Sequence, residues 1–132
     1  MSEELRGVVV CHGVLAGALV QAAEQISGVA GALTPVTNTG CDREALEDRV
    51  IAAVGGTPAV VFVDLASGSC LFAVLKRLRS EQSVKVVTGV NLAMLVDFVF
   101  HRSLTPEDAA ARAARERPRW QEMVRISGAQ AD

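Results

Sequence analysis

Short runs that are apolar at every position alternate along this chain with longer stretches that are apolar at helical spacing. Arg6–Cys11 (RGVVVC) and residues 58–65 (PAVVFVDL) carry the first pattern most fully, as strands covered on both faces do. Residues 84–91 (VKVVTGVN) predict another such strand. Residues 31–38 (GALTPVTN) predict a fourth, interrupted by Pro35, which is tolerated at a sheet edge. Between the first two runs in chain order, residues 12–28 predict a helix, with Leu15, Leu19, Ala22, Ala23 and Ile26 on one stripe and Gly28 as its stop. Asp42 is placed to cap a helix over 43–56 closed by Gly55-Gly56. The small-residue loop Ala66-Ser67-Gly68-Ser69 leads into a third helix over 70–82, and a fourth covers 92–103. A fifth spans 106–118, with Thr105 as N-cap, Pro106 at its first position, Glu107 and Asp108 in its first turn and Pro118 ending it.

Strand followed by helix, four times over, predicts an α/β fold with a doubly wound, mainly parallel sheet and helices on both faces. Right-handed crossovers leave few strand orders, and 2-1-3-4 sets strands one and three side by side at the switch point. Ligands of such sheets sit beyond the carboxyl ends of the strands at that point. Strand one ends in His12-Gly13 and strand three in Asp64. Sequence pattern alone therefore brings a histidine and a carboxylate to one crevice.

Composition narrows the functional classes. A chain of 132 residues, half of them hydrophobic, fits one domain over residues 1–132 with a substantial core and argues against disorder. The net charge of −2 offers no electrostatic reason to expect nucleic acid. The densest basic patch, Lys76 to Ser80 (KRLRS), reads as the solvated face of a helix or as a docking patch for an acidic partner. No apolar run approaches the roughly 20 residues that span a bilayer, and the acidic MSEELRG start lacks the layout of a signal peptide. Cys11, Cys41 and Cys70 form neither an even disulfide set nor a CxxC pair. A cytoplasmic protein with free thiols is the expectation.

An imidazole changes charge near neutral pH, so His12 can act as a neutral nucleophile or as a base. Asp64, bonded to one ring nitrogen, would set the tautomer and stabilise the cation formed on phosphorylation or protonation. The plainer alternatives are a hydrogen-bonded ring at a strand end and a carboxylate capping the next helix. Residues 66–69 supply backbone donors at a helix N-terminus, a place for a phosphoryl group or an ordinary turn. They match neither the P-loop nor GxGxxG. Asn91 ends strand four at the same sheet edge, to support a ligand or cap the helix after it. Ser67 or Ser69 beside His12 would suggest a hydrolase, but the G-x-S-x-G elbow is missing. His12, Cys41 and Cys70 make a conceivable metal or small-ligand set without a fourth ligand, and alternation turns Cys11 away from His12. His101 reads as a surface residue at the end of helix four.

Three stretches taken together, VVVCHGVLAGALVQAAEQISG, VVFVDLASGS and VVTGVNLAMLVDFVF, resemble the IIA domain of the mannose-class bacterial sugar phosphotransferase system (PTS). The resemblance implies a cytoplasmic phosphotransferase that needs no cofactor or metal. Its histidine takes a phosphoryl group from the phosphohistidine of the carrier protein HPr and passes it to a IIB component. His12 matches that histidine, with Nε2 as nucleophile, and Asp64 the carboxylate that orients it. Gly13, Gly68 and Ser69 match positions around the phosphoryl group, with Ser67 and Asn91 in support. It also implies a homodimer that exchanges a C-terminal antiparallel strand, for which residues 122–127 (EMVRIS) are the candidate and Trp120 the anchor. Contact with the membrane would be indirect, through the transporter components. Where the family commonly has Gly-Gly-Ser-Pro, this chain has Ser67-Gly68-Ser69-Cys70, which bears on partner recognition more than on histidine chemistry. Two readings share the fold and the histidine: a regulatory phosphohistidine protein that moves no sugar, and the phosphocarrier of the dihydroxyacetone kinase system. The GVN and ASGS stretches favour the mannose class over the latter.

Overall fold

The computed structural model describes residues 4–117. The expected swapped strand at 122–127 and its anchor Trp120 lie outside them. Among the described residues, nine elements follow one another as β1 (Arg6–Cys11), α1 (Leu15–Ser27), β2 (Leu33–Thr37), α2 (Arg43–Val54), β3 (Ala59–Val63), α3 (Ser69–Leu78), β4 (Val84–Thr88), α4 (Leu92–Val99) and α5 (Pro106–Ala114). The four strands form one sheet in the order β2-β1-β3-β4, and every pairing is parallel. This is the doubly wound order expected from the strand–helix alternation. Pro35 stands opposite Val9 on β2, an edge strand, where its missing N–H costs no interior ladder bond.

Alternation along the central strands divides the core in two. Val9, Cys11, Val60 and Phe62 pack on one face against residues of α1, α4 and α5. Val8, Val10, Val61 and Val63 pack on the other against α2 and α3. All eight are fully buried, and burying such a side chain contributes about 1.5–3 kcal/mol. Phe62 meets Phe98 of α4 edge-on, with ring centroids 5.4 Å apart. Glycine at position 7 makes that packing possible, because a Cβ there would lie 2.6 Å from both Leu33 Cδ2 and Phe98 Cε2.

The helix caps follow their sequence signals. The carboxylate of Asp42 accepts from the Ala45 amide at 2.8 Å, and the Thr105 hydroxyl accepts from Asp108 at 3.1 Å. Two expectations change. The buried stripe of α1 is Ala16, Val20 and Ala23, while Leu15 and Ile26 are exposed. Rotating the helix presents small residues to the sheet, so α1 approaches closely at the cost of two wet hydrophobes. The basic patch on α3 is also more than a solvated face: Lys76 and Arg77 each stand 3.6 Å from the buried carboxylate of Glu47 on α2, and Arg77 also bonds Asp48. That buried acid needs such partners.

Candidate active site

Strands β1 and β3 run side by side, and the residue after each meets its counterpart. The Nδ1 of His12 stands 2.8 Å from Asp64 Oδ2, and the same oxygen accepts the backbone N–H of His12 at 2.9 Å. One carboxylate oxygen therefore holds both ring and main chain. Asp64 is fixed in turn: Oδ1 accepts from Leu65 N–H at 2.9 Å, and its own N–H donates to the Val10 carbonyl at 3.3 Å across the strand pair. Burial works to raise the Asp64 pKa, but the hydrogen bonds from the His12 main chain and ring, with that from Leu65, outweigh it and hold the carboxyl below its ordinary value. An ionised Asp64 assigns the Nδ1 proton as the donor and leaves the lone pair on Nε2.

Nε2 faces the start of α3. The hydroxyl of Ser69, the first residue of that helix, is 3.4 Å from it. Gly68 lies over the ring with φ +98 and ψ −177, a region open only to glycine, and a Cβ there would lie 3.7–3.8 Å from His12 Cε1 and Nε2. Side-chain exposure is 40% for His12 and 9% for Asp64, so the ring is reachable while its partner is covered. The arrangement is an imidazole with one nitrogen tethered and the other presented at a helix N-terminus, where an anion is favoured.

Other expected residues fall into varied places. Gly13 turns the chain out of β1 with φ +61. Its N–H donates to Asn38 Oδ1 at 3.1 Å and its carbonyl accepts from the Thr37 hydroxyl at 2.6 Å. Ser67 lines a groove of about 620 Å³ on the outer side of α3, together with Arg43 and Phe72. Asn91 caps α4: Oδ1 accepts from Met94 N–H at 3.0 Å and the amide donates to the Glu116 carbonyl at 2.9 Å. His101 donates from Nδ1 to the Asp97 carbonyl at 2.7 Å, just past the end of α4. Thr37 and Asn38 stand outside the set of expected site residues, and their one sign in the sequence is the polar TNTG run ending the strand that neighbours β1.

The thiols differ from one another. Cys11 belongs to the core on the α1 side, as strand alternation suggested, and burial with the nearby Asp64 and Cys70 raises its pKa to about 12. Cys70 is buried in the first turn of α3, with its sulfur 3.7 Å from His12 Nδ1. Burial and the Asp64 charge lift it to about 11. Cys41 donates to the Asn38 carbonyl at 3.4 Å beyond β2. Among the described residues, the ligand atoms that converge within 4.8 Å are those of His12, Asp64 and Cys70. The set of His12, Cys41 and Cys70 is corrected accordingly: Asp64 takes the place given to Cys41, which follows a different strand.

The profile of the family described as "PTS system fructose IIA component" matches residues 7–115. The chain belongs to the mannose-type EIIA family of the PTS. This EIIA chain has no significant match among curated proteins. Its fold is similar to the PTS component EIIA of Streptococcus agalactiae, with a TM-score of 0.74 and 19% identity over 85% of this chain and 93% of that one. It is also similar to the mannose/sorbose specific IIA subunit of Enterococcus faecalis, with a TM-score of 0.72 and 19% identity over 86% and 89% of the two chains. A sigma-54 interaction domain protein of Enterococcus faecalis has a comparable fold, with a TM-score of 0.71 and 13% identity over 96% and 98%. Among the described residues of this EIIA chain, no helix is long and apolar enough to cross a membrane.

Proposed function

We propose that this EIIA chain is a cytoplasmic phosphocarrier of a sugar PTS, accepting a phosphoryl group from phospho-HPr on Nε2 of His12 and passing it to a IIB component. The observation that carries this reading is the division of the ring: Nδ1 is bonded to Asp64 at 2.8 Å while Nε2 faces Ser69 at the N-terminus of α3. Nε2 attacks phosphorus, a new N–P bond forms, and the bond to the donor's imidazole breaks in line. The proton on Nδ1 stays in place, so the phosphorylated ring carries positive charge, which the Asp64 carboxylate offsets. The Ser69 hydroxyl and the amides opening α3 receive the phosphoryl oxygens, with Gly68 leaving them room. Transfer onward is the reverse attack by the acceptor. Ser67, Gly13 and Asn91 act through loop and turn geometry, and the working unit is a homodimer.

Incubation with enzyme I, HPr and phosphoenolpyruvate tests the reading. Wild type should acquire an acid-labile phosphate that His12→Ala lacks, and wild type remaining unlabelled would overturn it.

A further inference from the structure

We propose that His12 Nδ1, a carboxylate oxygen of Asp64 and the sulfur of Cys70 form a site for a thiophilic divalent cation, Zn²⁺ foremost, and that its occupancy withholds the histidine from phosphoryl acceptance. Three elements deliver the three ligands: the end of β1, the end of β3 and the first turn of α3. Their ligand atoms lie within 4.8 Å of one another. Bonds of about 2.0–2.1 Å to nitrogen, 2.0–2.2 Å to oxygen and 2.3 Å to sulfur place tetrahedral zinc ligands roughly 3.3–3.7 Å apart. The Nδ1–Sγ separation is 3.7 Å, the Nδ1–Oδ2 pair at 2.8 Å would open by about half an ångström, and the carboxylate oxygen and sulfur, within 4.8 Å of each other, would draw together on the ion.

The surroundings suit a cation in two further respects. A carboxylate and a thiolate together neutralise a divalent ion, so the buried side of the site carries no net charge. The amide hydrogen bonds from His12 and Leu65 to the Asp64 oxygens provide the outer support that such ligands need. A soft sulfur ligand selects zinc over magnesium or calcium.

Binding displaces the thiol proton to solvent and moves the imidazole proton from Nδ1 to Nε2, so the ring stays neutral. A protonated Nε2 has no lone pair with which to attack phosphorus. This second half of the proposal rests on the phosphocarrier reading, whereas the binding site itself does not.

Titration with Co²⁺, then displacement by Zn²⁺, tests the site without any phosphoryl donor. Wild type and Cys41→Ser should each bind one ion with a sulfur-to-cobalt charge-transfer band. Cys70→Ala, Cys70→Ser and His12→Ala should lose the band and bind at least about tenfold more weakly. Binding that survives in both Cys70 variants, or that fails equally in Cys41→Ser, overturns the site. In the phosphoenolpyruvate assay, stoichiometric Zn²⁺ should suppress labelling of wild type and Cys41→Ser relative to the zinc-free reaction, whereas Cys70→Ser should label at the same rate with zinc as without it, whatever that rate is. Zinc that binds without slowing wild type overturns the inhibition alone. Wild type that binds the ion but never takes phosphate overturns the phosphocarrier reading and leaves the cation site standing.

Discussion

Asp64 holds its neighbour by main chain and side chain at once. Its Oδ2 accepts from both the amide and the ring of His12, so removing the carboxylate frees the ring and leaves an amide without its acceptor. Hydrogen bonds to charged groups contribute about 1.5–3 kcal/mol, hence Asp64→Ala should slow phosphoryl transfer roughly ten- to hundredfold, read by rapid-quench labelling, with an unchanged far-UV circular dichroism spectrum. Equal rates would reduce Asp64 to a structural cap. Because the folded protein lowers this carboxyl's pKa, its charge stabilises the fold above the unfolded value near 4 and ceases to do so as pH falls through the folded one. The stability advantage of wild type over Asp64→Asn should therefore be constant at neutral pH and shrink below about pH 4 in urea titrations. The pairing of these two residues was legible in the sequence, since two apolar runs ending in His12 and Asp64 become neighbours once the order is 2-1-3-4. Cys70 beside the same ring, its sulfur 3.7 Å away, was also among the expected neighbours, whereas Cys41 was not separable from it, because loop thiols give no periodic signal of where they point.

Local elements refine what the strands deliver. The β2 exit holds the Gly13 peptide through Thr37 and Asn38, and Arg49 of α2 ties that exit down by donating to the carbonyls of Thr37 at 2.8 Å and Thr39 at 3.0 Å. Such bonds depend on tertiary approach, and a TNTG run reads in isolation only as a turn. The buried stripe of α1 differs from the expected one for a related reason: two helical faces carry apolar residues, and only packing against β2 and α4 chooses between them. At the start of α3, Gly68 is required by its backbone more than by space, since the distances to the ring would be ordinary contacts. Gly68→Ala should cost about 1–3 kcal/mol of stability by chemical denaturation and slow labelling of His12 as the loop relaxes away from the ring. A variant with wild-type stability would mean that the loop adapts without strain.

Across the whole molecule, the sheet separates two cores, and one glycine sets how near α4 lies to it. Gly7→Ala drives a methyl into Leu33 and the Phe98 ring, both packed in the core on that side. Overpacking of this kind costs about 1–3 kcal/mol, visible as a lowered midpoint in urea with little change in the slope. An unchanged midpoint would show that Phe98 can withdraw freely. The fold class followed from composition and alternation because strands covered on both faces must be apolar throughout. The ends of elements were less legible: helices predicted to reach 103 and 118 stop at Val99 and Ala114, where short turns take over the backbone hydrogen bonds.

The bonded pair of His12 and Asp64 hangs from two adjacent interior strands, while Ser67, Gly68, Ser69 and Cys70 ride on a loop and the first turn of one helix. Substitution at Ser67, Ser69 or Cys70, with Gly68 held by its backbone, would change what meets the ring while the pair stays on its strands, so on the phosphocarrier reading this fold offers a fixed reagent behind an interchangeable front.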